Sequence, residues 1–366
     1  MTTILLVVGA RPNFMKVAPV HRALARAAPD ARLVLVHTGQ HYDEQMSSVF
    51  FGELGMPEPD VFLGVGSGTH GEQTARALMG IEGAIVDEQP DLVVVAGDVN
   101  STLAGALAAV KLHVPVAHIE AGLRSFDRSM PEEHNRRLTD AVSSVLLTHS
   151  EEALDNLRRE GVDPSSVHLV GNTMIDSLLD HLPHALARRP WVQLGVAENE
   201  YALVTLHRPA LDDDRDLLRE TIAGLHEHGR KLPVVFPVHP RTRARIEKLG
   251  PAGSPEGTLM LVEPIGYLDF LGLEARARLV LTDSGGVQEE TSALGTPCFT
   301  LRNTTERPVT VRLGTNTLLG LSPSRITATA EMLLETPPTE PIPLWDGHAG
   351  PRAAGVLLDY LRSREA

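Results

Sequence analysis

Cysteine is nearly absent: Cys298 is the only one in 366 residues. That excludes an internal disulfide and any cysteine-rich metal site. Cations are also in deficit, with Lys+Arg 33 against Asp+Glu 47 and a formal net charge of −14. Such a balance argues against a nucleic-acid or anionic-membrane surface. It leaves a small anionic ligand open, because such a ligand answers to a local pocket rather than to the global sum. Long apolar runs are missing too, and none approaches the ~20 residues of a membrane span. The first run, Ile4–Val8, is too short for a signal-peptide core and passes into Gly9 without a small-residue cleavage site. The expectation is a soluble, cytoplasmic protein with neither a membrane nor a nucleic acid as partner. At about 150 residues per domain, the length suits two domains or three.

What the chain does have is short β-branched runs alternating with helical stretches. In the first half the strand candidates are Ile4–Val8, Leu33–His37, Leu92–Ala96, Val114–His118, Val145–Thr148 and Val167–Val170. Each is almost continuously apolar, as in a parallel sheet covered on both faces. Between the first two, Val17, Val20, Leu24 and Ala27 follow one helix face. The second half restarts with Ala202–Thr205, Val234–Pro237, Leu259–Val262, Leu279–Thr282 and Cys298–Leu301. Residues 181–200 read as a helix plus linker between domains spanning 1–180 and 201–348. Thr336–Pro343, with four prolines, reads as an extended crossing segment before a last helix over 349–364. The pattern predicts an α/β fold of two facing Rossmann-like domains, with an active-site cleft at the strand C-terminal ends.

Those ends carry the candidate chemistry. Gly9-Ala10-Arg11-Pro12-Asn13-Phe14-Met15-Lys16 is a glycine turn into a helix flanked by two cations. It suits a phosphate or carboxylate, and equally a plain turn with a surface Arg and Lys. It has neither the P-loop spacing nor a G-x-G-x-x-G fingerprint. Asp98 follows Leu92–Ala96 and either points into the cleft or caps the next helix. Alternation puts Glu120 on the same side of its strand as His118. Pro131-Glu132-Glu133 opens a helix, where acids are favoured, and Arg124 and Arg136 stand ready to neutralise them. Even so, Asp98, Glu120 and Glu132 come from separate segments to one rim. Crowded carboxylates raise one another's pKa, which is how a site acquires an acid and a base near neutrality.

In the second half, His207 and His239 occupy equivalent rim positions after two strands. Thr282-Asp283-Ser284-Gly285-Gly286 ends a strand and starts a helix, whose unpaired N–H groups fit diphosphate oxygens. Glu290, about a turn later, is placed for two ribose hydroxyls. Arg307, in Thr304-Thr305-Glu306-Arg307-Pro308, is placed for the same phosphates.

With these pieces in hand the chain resembles the non-hydrolysing UDP-N-acetylglucosamine 2-epimerase family. The shared motifs run in order through nearly the whole length: GARPNFMK, GQHYD, GDVNST, HIEAGLRSFDRSMPEE, VGNTMID, TLHRP, PVHPRT, TDSGGVQEE, TTERP, GTN and WDG. The resemblance implies the glycosyltransferase-B type of fold, a homodimer, and a C-terminal helix that rejoins the first domain. It also implies conversion of UDP-GlcNAc to UDP-ManNAc with no cofactor and no metal. Acid/base roles fall on Asp98, Glu120, Glu132 and His207. Substrate contacts fall on Arg11, Lys16, Ser284, Gly285, Gly286, Glu290 and Arg307, with the uracil near Ile265 and Phe270. Gln40, His41 and His239 match parts of a second, activating UDP-GlcNAc site found in some members. The arginine that accompanies that site is replaced within Gly64–Thr69, and Ala210-Leu211 stand where many relatives have Glu or Ser followed by Asn.

The hydrogen at C2 of an N-acetylhexosamine is not acidic. The family is thought to expel UDP by anti elimination as the C2 proton leaves, forming a 2-acetamidoglucal. UDP is then re-added with the proton on the other face, which needs acid/base groups on both faces of the sugar. Three alternatives compete: a hydrolysing epimerase that releases ManNAc and UDP, a glycosyltransferase of the same fold, and a nucleotide-sugar-binding sensor.

Overall fold

The computed structural model describes residues 1–40, 55–206, 214–249, 258–333 and 340–365. The chain divides into two compact units, Met1–Asp180 with Pro343–Ala366, and His181–Ile342. The order begins β1 (Thr3–Val8), α1 (Arg11–Ala27), β2 (Arg32–His37), β3 (Val61–Phe62), α2 (His70–Glu88), β4 (Leu92–Ala96) and α3 (Asn100–Lys111). It continues β5 (Val116–Ile119), α4 (Pro131–Val142), β6 (Val145–Thr148), α5 (Glu151–Arg159), β7 (Val167–Leu169), α6 (Thr173–Arg188) and α7 (Pro190–Gln193). Then come β8 (Ala202–Thr205), α8 (Arg215–His228), β9 (Val234–Pro237), α9 (Pro240–Lys248), β10 (Leu259–Val262), α10 (Tyr267–Ala275), β11 (Leu279–Thr282) and α11 (Gly285–Leu294). The chain closes with β12 (Cys298–Thr300), α12 (Pro308–Arg312), β13 (Asn316–Leu318), α13 (Thr329–Met332) and α14 (Ala349–Glu365).

The first unit holds a seven-stranded sheet in the order β3-β2-β1-β4-β5-β6-β7, and every pairing is parallel. The second holds a six-stranded parallel sheet, β10-β9-β8-β11-β12-β13. Both are Rossmann-like. The apolar runs of β1, β4, β5, β6, β11 and β12 are buried along their whole length because helices cover both faces, whereas β3, β7 and β10 are only partly covered. In the first unit Leu5, Val7, Val34, Val36, Val93 and Val95 pack with Ile81, Ala84 and Ile85 of α2 and Ala104 and Ala108 of α3. In the second, Ala202 and Val204 meet Leu218, Ile222 and Leu225 of α8 on one side. On the other side Leu203, Val235 and Val280 meet Leu273 and Val287. Strand order reverses beside β1 and β4 in one sheet, and beside β8 and β11 in the other. Crevices for ligands open at such reversals, outside the strand C-termini.

Several boundaries differ from the sequence reading. The strand expected over Val114–His118 runs over Val116–Ile119, because the Val114 N–H still bonds Ala109 O at 3.0 Å and so ends α3. The Val167–Val170 and Cys298–Leu301 candidates each stop one residue early. In α1, Val17, Val20 and Leu24 are fully buried, but Ala27 is exposed in the final turn. Residues 336–339 of the proline-rich stretch lie outside the described residues.

The C-terminal helix belongs to the first unit. Asp176 of α6 accepts the Ala349 and Gly350 N–H groups at 3.1 and 2.7 Å, satisfying donors at the start of α14. Just upstream, Trp345 Nε1 donates to His149 O at 3.0 Å, and Arg352 pairs with Asp346. The terminal Trp-Asp-Gly motif is thus an anchor for this helix. Among the described residues no helix is long and apolar enough to cross a membrane.

Candidate active site

In the first unit the turns after β1 and β4 are tied together by one side chain. Asn13 Oδ1 accepts the N–H groups of Gly9 and Ala10, both at 3.1 Å, while its Nδ2 donates to Ala96 O at 2.8 Å. The β4 turn then passes through Gly97 at φ +67°, where a Cβ would sit 2.9 Å from Lys16 Nζ and 3.3 Å from Glu120 Oε2. Glycine is favoured there by the left-handed backbone, and a larger residue would also displace Lys16 and Glu120.

Asp98 does not cap α3. The cap residue is Val99, and it makes no side-chain cap bond. Asp98 Oδ2 instead accepts Arg136 Nε at 3.0 Å and Nη2 at 2.7 Å, and Asn135 Nδ2 holds Asp98 O at 2.8 Å. Both partners lie on α4, which opens with Pro131 and Glu132. Arg136 also reaches Glu133 at 2.8 Å, whereas Arg124 turns away to Asp140 and Glu160. Of the two cations expected to neutralise Glu132 and Glu133, Arg136 pairs with Glu133, and Arg124 pairs instead with Asp140, a later acid of the same helix. Glu132 is half-buried.

Glu120 lies one residue past the end of β5, so strand alternation with His118 does not extend to it. Its backbone turns left-handed at φ +69°, rare for a non-glycine residue and costly. The side chain is buried and forms an ion pair with Lys16 of α1. Lys16, read from sequence as a phosphate contact, is therefore committed to one of the acid/base candidates. The backbone of Arg11 opens α1, and its side chain lies outside the described residues, as do His207, Ala210 and Leu211.

In the second unit, Ser284 precedes α11, and the first intrahelical bond runs from Gln288 N to Ser284 O at 3.4 Å. The N–H groups of Gly285, Gly286 and Val287 come before any intrahelical acceptor, the usual geometry of an anion site. A Cβ at Gly285 would fall 2.5 Å from Arg307 Nη1, so Arg307 does stand at this helix start. It is not a bare cation: Glu289 approaches Nε at 2.9 Å and Glu306 approaches Nη1 at 2.6 Å. Ile265 and Phe270 are half-buried in one apolar cluster with Val287 of the same helix turn. Glu290 is buried and accepts the Tyr267 hydroxyl at 3.3 Å. Beside it, full burial and then the neighbouring Glu290 charge push the Glu274 carboxyl well above its ordinary range.

The family model described as UDP-N-acetylglucosamine 2-epimerase matches residues 23–358. The chain belongs to the UDP-N-acetylglucosamine 2-epimerase family. The UDP-N-acetylglucosamine 2-epimerase of Methanocaldococcus jannaschii is 43% identical over 359 residues, covering 96% of this chain and 98% of the relative. A crystal structure of the Methanocaldococcus jannaschii enzyme in complex with UDP-GlcNAc and UDP superposes with a TM-score of 0.88 at 41% identity, covering 98% and 100% of the two chains. The UDP-2,3-diacetamido-2,3-dideoxy-D-glucuronate 2-epimerase of Pseudomonas aeruginosa is also 43% identical, over 98% of this chain and 99% of the relative.

Of the residues matched to the family's activating site, Gln40 is buried in the first unit. Its Oε1 accepts Ser101 N at 3.1 Å and Ser101 Oγ at 2.7 Å, serving the start of α3. His41 lies outside the described residues, and His239 is exposed just before α9 of the second unit. From sequence, no role falls on the Asn13 or Glu274 side chains, and Arg136 reads as the partner of the acids at its own helix start, not of Asp98. Asn13 and Arg136 were visible as types, but their partners lie far away in sequence. Glu274 offered no signal, being one of two acids in the largely apolar helix α10.

Proposed function

We propose that this chain interconverts UDP-GlcNAc and UDP-ManNAc without releasing the sugar. The observation that carries this reading is the convergence of Glu120, held by Lys16, and Asp98, held by Arg136, on one Gly97 turn. Glu132 stands at the start of the helix that supplies Arg136. In the proposed reaction a carboxylate takes the C2 proton while the C1–O bond breaks, and its electron pair leaves on the diphosphate of UDP. A 2-acetamidoglucal results. UDP then re-forms the C1–O bond, and a second group returns a proton to the other face of C2. Asp98, Glu120, Glu132 and His207 are the acid/base set. The start of α11 with Arg307 takes the diphosphate, Glu290 the ribose, and Ile265 with Phe270 the uracil.

We further read the working form as a homodimer, supported by the apolar side chains that the outer helices of the first unit leave exposed: Met79 and Val86 of α2 and Leu138 of α4. A second substrate reading rests on the equal identity to the diacetamido-glucuronate enzyme. Both readings are separated by incubating the purified protein with each UDP-sugar alone and following the products by proton NMR. UDP-GlcNAc should yield UDP-ManNAc. Free ManNAc would indicate a hydrolysing enzyme, and turnover of only the diacetamido sugar would reassign the substrate.

A further inference from the structure

The turn that carries Glu120 is clamped from both sides by a single carboxylate. Asp140 of α4 accepts His118 Nδ1 on Oδ1 at 2.7 Å. Its Oδ2 accepts the Gly122 N–H at 3.1 Å and Arg124 Nη1 at 2.7 Å. One residue gripped this way lies two positions before Glu120, and another two positions after. His118 extends the clamp inward, since its Nε2 donates to Gly97 O at 2.8 Å. The Gly97 N–H in turn bonds Ile119 O at 3.0 Å, fixing both ends of the peptide residue that lies against the Lys16–Glu120 pair and leads into Asp98. Both ring nitrogens of His118 face groups that only accept, a carboxylate and a carbonyl, so both must carry a hydrogen.

His118 is fully buried, and its ring nitrogens bond Asp140 and Gly97 O rather than Asp98, Glu120 or Glu132, so it is a supporting group and not a catalytic one. A left-handed Glu120 persists only where its surroundings over-determine it. We infer that His118, oriented by Asp140, is a positioning residue that holds the Glu120 turn and the Gly97-Asp98 turn in register with each other. The inference rests on Glu120 and Asp98 being the working acid/base groups. It adds a bridge between them that neither supplies alone.

Two measurements test it, one of them independent of turnover. In the ligand-free protein, nitrogen-15 NMR of the His118 ring should show both nitrogens protonated; a ring with one bare nitrogen would overturn the clamp. In the second, His118→Gln and His118→Phe are compared with wild type in kcat per folded molecule and in UDP affinity. A misplacement of about 1 Å at the reacting groups can cost on the order of 100-fold, so a fall of roughly 10- to 100-fold in kcat is expected. His118→Gln, which keeps a donor toward Gly97, should fall less than His118→Phe, with UDP affinity unchanged in both. Wild-type kcat in a folded His118→Phe protein, or equal losses of kcat and UDP affinity, would overturn the proposal. Should the Phe variant fail to fold, the Gln variant decides: kcat reduced at constant UDP affinity supports the role, and unchanged kcat refutes it. A doubly protonated ring in a protein that turns over no UDP-sugar would instead refute the functional reading and leave the clamp standing.

Discussion

Arg136 grips Asp98 through two nitrogens on one oxygen, Nε at 3.0 Å and Nη2 at 2.7 Å. Its remaining Nη1 is held by Glu133, which also accepts the Ser125 N–H at 2.8 Å, so the fork cannot swing away. A lysine can supply the charge but not this planar grip. Arg136→Lys is therefore expected to lower kcat by roughly 10- to 100-fold while leaving UDP affinity as it is. NMR-monitored turnover and calorimetric titration with UDP check the two halves of that statement.

Gly97 makes a sharper prediction. Its φ of +67° suits glycine, and an added Cβ would press on Lys16 Nζ and Glu120 Oε2 at 2.9 and 3.3 Å. Gly97→Ala should cost about 1–2 kcal/mol on conformation alone. It should also abolish most turnover by spreading the Lys16–Glu120 pair. Urea unfolding gives the first effect and initial rates give the second.

Asp140 predicts a pH dependence. Burial pushes its pKa up, but the bond and charge of His118, followed by Arg124, outweigh burial and hold the carboxyl below its ordinary range. The folded protein thus binds this proton less readily than the unfolded chain. The resulting stability is complete above the unfolded carboxyl pKa and is lost as pH falls through the folded one. Asp140→Asn should be about 3–5 kcal/mol less stable than wild type at neutral pH, because it leaves buried partners without their counter-charge. The gap should close as pH drops below about 4. Denaturation midpoints across that range measure it.

The strand-and-helix alternation was legible because parallel strands covered on both faces must be apolar throughout. What the sequence hid was short or distant. Val61–Phe62 and Asn316–Leu318 are edge strands of two and three residues, too brief to show a pattern. The acidic candidates at the first sheet's rim were readable from position alone, but their partners were not. Lys16 reads locally as an anion contact beside Arg11, and only the fold brings it to Glu120, 104 residues away. Asp98 sits where a cap belongs, yet Arg136, 38 residues on, takes its side chain. The left-handed Glu120 could not be foreseen either, since glutamate is no signal for such a turn.

The lone cysteine offers a clean probe. Cys298 is fully buried in β12, and burial pushes its thiol up to about 12. A thiol reagent near neutral pH should leave the native protein untouched and titrate one group per chain once it unfolds. Rapid native labelling would show that β12 opens readily.

The most direct test of the account is epimerisation in D₂O. Purified protein given UDP-GlcNAc alone should yield UDP-ManNAc carrying deuterium at C2, because the proton returned comes from a solvent-exchangeable acid. UDP-ManNAc that keeps its original hydrogen at C2 would contradict the account.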